Sequence, residues 1–394
     1  MGIEELCQIS RRYGQDPAWV LAGGGNTSFK DESTLYVKAS GYPLATLTTD
    51  GLVGMDRKKL AAIWKESYPE ERDAREDRAL KDLMAARLPK QKEKRPSVET
   101  LMHDVMPYTY VIHTHPTLVN GLTCAQNGEE EARRLFGDTM VWVPLVDPGY
   151  ILSKDIKERL AQYKEEHGVT AQILFLQNHG LTVGADTREE IERLHEHIAQ
   201  TIYGELSREP DTDEPVDTIK QAGLIEESVT AAVQNLEADY KAESGIGRQI
   251  RGIEHVRFYT NREIDGYVAN KEAFAPLASP FTPDHIVYAG HNPPFIEGGS
   301  FLQGLTERVR KGLGAYIDEQ GQLPKSVALQ GLGAVALGRT PSAVEKAIAL
   351  FTDAAQIATY TESFGGPRFM EQDKIDFIVN WEVESYREQV STGG

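Results

Sequence analysis

Apolar residues recur at helical spacing from Ile3 to Tyr13 and stop at Gly14, which predicts a first helix. A turn, Ala22-Gly23-Gly24-Gly25-Asn26, follows it. An alternating run from Ser33 to Ala39 then predicts a strand, closed by a Ser40-Gly41-Tyr42-Pro43 turn. Helical spacing returns from Lys58 to Leu88, with Leu60, Ile63, Trp64, Leu80, Leu83 and Leu88 as buried positions and the charges between them on a solvated face. Pro89 to Pro96 reads as a basic loop. Pro96-Ser97 opens another helix, with Ser97 as N-cap and Glu99 in the first turn. Two short apolar runs, Tyr110-Val111-Ile112 and Ile173-Leu174-Phe175-Leu176, predict buried strands, and a helix covers Glu189 to Leu206.

The 394 residues are more than one ordinary core needs, and the pattern divides them in two. Residues 1–206 form the first domain. Residues 207–218, rich in Asp, Glu and Pro, read as a linker, and 219–394 form a second lobe. That lobe echoes the first: Leu176 to Gly184 followed by Thr187 resembles Leu329 to Gly338 followed by Thr340. Upstream, Val287 to Pro293 can be laid on Val111 to Thr117, which sets Ala289 and Leu332 against two histidines of the first lobe.

Those histidines carry the chemistry. His113-Thr114-His115 ends one strand and Asn178-His179-Gly180 ends the other. Side chains two apart on a strand share a face, so His113 and His115 can converge on one point. A third imidazole, from His179, completes a three-nitrogen metal site with one position open, the arrangement of a catalytic zinc.

Composition narrows the picture. A net charge of −18 argues against a nucleic-acid partner. No stretch reaches the length of a membrane span, and the N-terminus lacks a basic-then-apolar signal. Cys7 and Cys124 are the two cysteines, so a disulfide framework is not expected and a cytoplasmic location is. Gly331-Leu332-Gly333 lacks the rest of a dinucleotide fingerprint.

Taken in order, Gly24-Gly25-Asn26-Thr27-Ser28, Lys38-Ala39-Ser40-Gly41, Pro96-Ser97-Val98-Glu99, His113-Thr114-His115 and Asn178-His179-Gly180 resemble the class II aldolase/adducin family, which includes the fuculose- and rhamnulose-1-phosphate aldolases. The second half, with Phe281-Thr282-Pro283-Asp284-His285 and Asp376-Phe377…Trp381-Glu382, resembles the longer aldolase modules found fused to a short-chain dehydrogenase; here the sequence stops at Gly394. The resemblance implies an α/β fold with a mixed central sheet flanked by helices, in two related lobes. It implies a zinc-dependent lyase that cleaves a ketose 1-phosphate, rhamnulose-1-phosphate-like, to dihydroxyacetone phosphate and an aldehyde. A pentulose-phosphate 4-epimerase and a non-catalytic adducin-like binding module are the alternatives. Manganese or cobalt fits the same ligands.

By the same resemblance His113, His115 and His179 bind the metal and Glu99 is the catalytic base. From its spacing, His103, one helical turn later, could orient that carboxylate or be a satisfied buried histidine. The resemblance places Asn26, Ser40, Gly41 and Ser97 around the phosphate of a small sugar substrate. Val98 stands where the family often has a second serine, so this pocket has one donor fewer; Lys38 and the basic loop could compensate. The family's proton donor is a tyrosine, often from a neighbouring subunit of a homo-oligomer, and Tyr150 is the candidate here.

Overall fold

The computed structural model describes residues 2–241 and 243–381. The chain divides into two compact units, Met1–Leu206 and Ser207 onward.

The first unit is built on a seven-stranded sheet: β1 (Asn26–Lys30), β2 (Thr34–Lys38), β3 (Leu52–Asp56), β4 (Tyr110–Thr114), β5 (Met140–Val143), β6 (Ile173–Leu176) and β7 (Gly180–Ala185). Their order is β3-β2-β1-β4-β7-β6-β5. Every pairing is antiparallel except β5 with β6, which is parallel. The sheet is therefore mixed, and helices flank it, as the sequence led us to expect. The parallel pair requires a crossover, which the helix Tyr150–His167 supplies. β4 lies centrally and is buried along its whole length, so it reads as a continuous apolar run rather than an alternating one. Leu35, Val37, Val53, Leu60, Ile63 and Leu83 pack one core cluster; Met102, Val111, Leu152, Ile156 and Leu174 pack another.

The helix expected from Ser97 begins later. It spans Thr100–Val105, with Glu99 at its N-cap position. Ser97 caps the turn before it: its Oγ accepts from the Glu99 amide, and its carbonyl accepts from the Thr100 amide. Glu99 thus sits in the sparsely populated bridge region (φ −88°, ψ 9°) rather than inside the helix.

The second unit carries four described strands, β8 (His255–Tyr259), β9 (Phe295–Ile296), β10 (Ser326–Leu329) and β11 (Gly333–Gly338), in the order β8-β11-β10-β9. Directions match those of β4-β7-β6-β5 pair by pair: antiparallel, antiparallel, parallel. The registers match too. One constant displacement in residue number takes Trp142 to Phe295, Phe175 to Ala328, Leu181 to Ala334 and Thr187 to Thr340. Loop hydrogen bonds repeat at the same places. Asn178 N donates to Thr123 O and Gly331 N to Val268 O; Gln177 N donates to Val143 O and Gln330 N to Ile296 O.

This register corrects one correspondence drawn from sequence. Residues 285–289 form a π-helix, not a strand, so Val287 to Pro293 is not the counterpart of β4. That counterpart is β8, where Tyr259 pairs with Ala334 as Thr114 pairs with Leu181. The positions of His113, His115 and His179 are therefore held by Phe258, Thr260 and Leu332.

The segment from Ser207 is tied to the second unit: Arg208 pairs with Glu263 and Glu362, and the Asp211 amide donates to Glu263. Glu382, at the end of one motif noted above, lies outside the described residues. Among the described residues no helix is long and apolar enough to cross a membrane.

Candidate metal centre

β4 places His113 between two partners in register, Asn26 on β1 and Thr182 on β7. His115 follows one step beyond the strand end, its amide donating to Trp19 O. His179 stands in the tight turn between β6 and β7, where Asn178 takes a left-handed conformation (φ 52°). Asparagine tolerates that region better than most non-glycine residues.

The three imidazoles converge. Their ring centroids lie 4.8 Å (His113–His115), 5.0 Å (His113–His179) and 5.0 Å (His115–His179) apart. One nitrogen from each falls within 4.8 Å of the others. His113 is fully buried, whereas His115 and His179 are each 9% exposed, so the cluster is reachable from one side.

Two glycines make the convergence sterically possible. A Cβ on Gly180 would meet Thr114 O at 2.4 Å and the His115 ring at 2.9 Å; one on Gly25 (φ 68°) would meet His113 O at 2.7 Å.

The protonation of His113 follows from its partners. Nδ1 lies 2.9 Å from Leu181 O and 3.0 Å from Thr182 Oγ1. A carbonyl only accepts, so Nδ1 carries the hydrogen and the Nε2 lone pair faces the cluster. Glu99 closes the set, with Oε1 3.3 Å from His179 Nε2 and 3.6 Å from His113 Nε2.

Behind Glu99 runs a buried relay. His103 Nδ1 is 2.8 Å from Ser28 Oγ, and its Nε2 is hydrogen-bonded to Asn26 Oδ1. The Asn26 amide donates to Glu99 Oε2 at 2.5 Å. Burial above all holds the His103 pKa down at about 3, so this ring is neutral. Nε2–H then donates to Asn26 Oδ1, and Nδ1 accepts from the Ser28 hydroxyl. The chain fixes which way the Asn26 amide faces and so aims an N–H at the carboxylate. Burial opposes the charge on Glu99, but His113, His179, His115 and the Asn26 amide outweigh it and hold its carboxyl at about 2. The group is an ionised acceptor at any ordinary pH.

The donor set suits a divalent metal: three imidazoles, one with its tautomer fixed, and a carboxylate around a common point. With metal–nitrogen distances of ~2.0–2.1 Å, tetrahedral ligands stand a little over 3 Å apart. The 3.0 Å between His113 Nε2 and His115 Nε2 is close to that spacing.

The remaining sequence-derived residues divide. Ser97 and Asn26 are buried beside Glu99. A bridge between Ala39 and Pro96 brings Ser40 and Gly41 next to Ser97, with Ser40 N donating to Arg95 O. Lys38 is buried, its Nζ 3.0 Å from Tyr42 O. Lys94 of the basic loop is bound to Asp50. Tyr150 opens the crossover helix and packs on Trp64 and Tyr68, with ring centroids 5.7 and 4.6 Å away; its amide donates to Glu76. Its described contacts are with that aromatic group rather than with the imidazoles.

Ser28 and Thr182 were not picked out from sequence. The polar pair Asn26 and Ser28, two apart on one strand, was the available signal for the first; Thr182 is recognisable only once the β4–β7 register is known.

Comparison with known proteins extends this picture. A curated relative, the uncharacterized oxidoreductase YuxG of Bacillus subtilis (strain 168), is 25% identical over 423 residues, covering 98% of this chain and 58% of that protein. The chain thus spans well under two thirds of that relative's length. Among solved structures, the N-terminal class II aldolase domain of a conserved protein from Thermoplasma acidophilum is 28% identical with a TM-score of 0.44, over 51% of this chain and 92% of that one. An L-fuculose-1-phosphate aldolase from Thermus thermophilus is 14% identical with a TM-score of 0.32, over 50% of this chain and 89% of that one. The family model for the class II aldolase and adducin N-terminal domain matches residues 4–203, just over half of the sequence and nearly all of the first unit. With that match over the unit that carries the histidine cluster, the chain belongs to the class II aldolase and adducin family.

Proposed function

We propose that the first unit is a metal-dependent carbon–carbon lyase that cleaves a ketose 1-phosphate, rhamnulose-1-phosphate-like, into dihydroxyacetone phosphate and an aldehyde. The observation that carries this reading is the meeting of three imidazoles with an ionised, relay-held Glu99 at a reachable sheet end. A divalent cation, zinc in our reading, held by His113, His115 and His179 would supply Lewis-acid stabilisation of the charge that develops as the bond breaks. Glu99 takes and returns the proton at Oε1, on the side where substrate enters. Asn26 keeps that carboxylate oriented, and a second N–H of its amide is directed to substrate. Ser40, Gly41 and Ser97 bind the phosphate through hydroxyl and backbone donors, supported by the Ala39–Pro96 bridge that gathers them. We assign the remaining proton donor to Tyr150, from a neighbouring copy in a homo-oligomer.

We further infer that the second unit is a degenerate copy of the metal-bearing half of the first. The shared strand order, directions, register displacement and loop hydrogen bonds support this. Phe258, Thr260 and Leu332 offer no imidazole. In sequence, the displacement that takes Tyr110 to His255 sets Ser244 against Glu99.

The test is product analysis on rhamnulose 1-phosphate with added zinc. Release of free aldehyde supports the lyase. Interconversion of pentulose phosphates without aldehyde moves the assignment to a 4-epimerase. Neither product, with no metal bound, leaves a binding module.

A further inference from the structure

We propose that the second unit binds a small organic anion, an acidic head group on an apolar body, in a cavity at the sheet end opposite the one where the first unit gathers its histidines.

The cavity measures about 700 Å³, the size of pockets that enclose small ligands. It is lined by residues of the second unit alone and opens where β10 begins and β11 ends. Arg248, Lys325, Arg339 and His291 contribute to its wall, and among the described residues no aspartate or glutamate does. In a chain of net charge −18, a cavity whose described lining carries three basic side chains and no carboxylate runs against the average. The rest of the wall is mostly apolar, so the site favours an anion with an organic body over bare phosphate.

The first unit carries other side chains at this end. There Thr109 donates to Asp186 through both its amide and its hydroxyl, at 2.9 and 2.8 Å. Tyr108 lies across Gly184, where a Cβ would come within 2.5 Å of its ring, and its hydroxyl donates to Thr170 O. At the corresponding positions the second unit has Arg339 for Asp186, Ile253 for Tyr108 and Lys325 for Gln172. Leu337 N still donates to Lys325 O as Gly184 N does to Gln172 O, so the backbone frame is kept. Arg339 thus replaces an aspartate and Ile253 a tyrosine ring, while Glu254, whose amide donates to Gly338 O, stands where Thr109 does. Among the described residues no carboxylate pairs with Arg339, which lies over Gly252, a site where a Cβ would meet its Nε at 2.9 Å.

The wall opposite is the π-helix His285–Ala289, a rare form that recurs at functional sites. It is pinned from behind: His285 Nε2 is 3.0 Å from Asp353 Oδ2 on the helix Pro341–Thr361, and Thr282 Oγ1 is 3.2 Å from His285 Nδ1. In front, Lys325 Nζ bonds Val287 O at 2.5 Å, which holds the ammonium at the cavity wall. Tyr316 donates to His291 O and braces the same side.

The experiment is a fluorescence titration of the full chain with 8-anilino-1-naphthalenesulfonate, beside its uncharged analogue N-phenyl-1-naphthylamine. The sulfonate should bind at one site per chain, and R339D/K325Q, which carries the first unit's residues, should weaken it at least about tenfold. The neutral probe should change less than about twofold. I253Y, which restores the tyrosine ring, should reduce both probes and serves if the double variant does not fold. H113A/H115A should leave both unchanged, separating this cavity from the metal centre. Equal affinity for charged and neutral probes, or sulfonate binding unaltered in R339D/K325Q and I253Y, would overturn the proposal.

Discussion

The two units run the same strand order in the same directions, yet they keep their chemistry at opposite ends. In the first, the end where β4 stops and β7 starts gathers His113, His115 and His179, while the other end carries Asp186, bonded to Thr109, and Tyr108, packed over Gly184. In the second, Phe258, Thr260 and Leu332 hold the places of the histidines, and the other end opens onto Arg339 and Lys325. Backbone hydrogen bonds are shared between the two; side chains at strand ends are not. The contrast teaches that register is maintained by the ladder and the turns, which leaves each end of the sheet free to acquire or lose a site on its own.

The firmest way to break the comparison is to remove the histidines. His113→Ala/His115→Ala should drop metal content from about one per chain to none by elemental analysis, and aldehyde release to background. Metal retained in that variant would locate the site elsewhere. Glu99→Gln should keep the metal but reduce turnover about 10²–10⁴-fold in steady-state assays; unchanged turnover would take Glu99 out of the chemistry. His103→Phe removes the relay while leaving every proposed ligand in place. It should lower kcat about 10–100-fold, with metal content held, and shift the acid limb of the pH–rate profile as Glu99 loses its aimed donor. An effect on stability alone, with kcat and profile unmoved, would reduce His103 to a packing residue. The smallest effect sharpens the comparison from the other side. Phe258→His/Thr260→His/Leu332→His in the second unit should bind a second metal by calorimetry, at least about tenfold more weakly than the first because no carboxylate has been built in beside it.

Much of this was legible in the sequence where the signal is local. His113 and His115 are two apart at a strand end, and His179 sits in a turn marked by Asn178 and Gly180; spacing alone brings such residues to one sheet end. The mixed sheet was expected from the family resemblance, whereas the crossover helix Tyr150–His167 was not singled out in the sequence. The Ser28–His103–Asn26–Glu99 relay was not, because it joins residues more than 70 positions apart through the β1–β4 register and the late start of the helix at Thr100. His103, one turn from Glu99, was read as able to orient that carboxylate or as a satisfied buried histidine; its described bond is to Asn26, which in turn donates to Glu99. The misplaced counterpart of β4 has a physical cause as well. β4 is central and wholly buried, so its pattern is an unbroken apolar run, whereas β8 lies at the edge of its four-stranded sheet and begins His-Val-Arg, partly exposed. A search for a second apolar run lands on Ile286-Val287-Tyr288, which is apolar because the π-helix is buried.

Asn178 and Gly331 occupy the same point of the same turn, at φ 52° and 66°. Glycine takes that conformation freely, while a residue with a Cβ gives up roughly 1 kcal/mol there. The turn that carries His179 therefore stores a little tension that its counterpart does not. On our reading of the second unit as a degenerate copy, such a position is a ratchet: once the ligand beside it is lost, drift toward glycine is rewarded by stability, and each such step makes recovery of the lost centre harder.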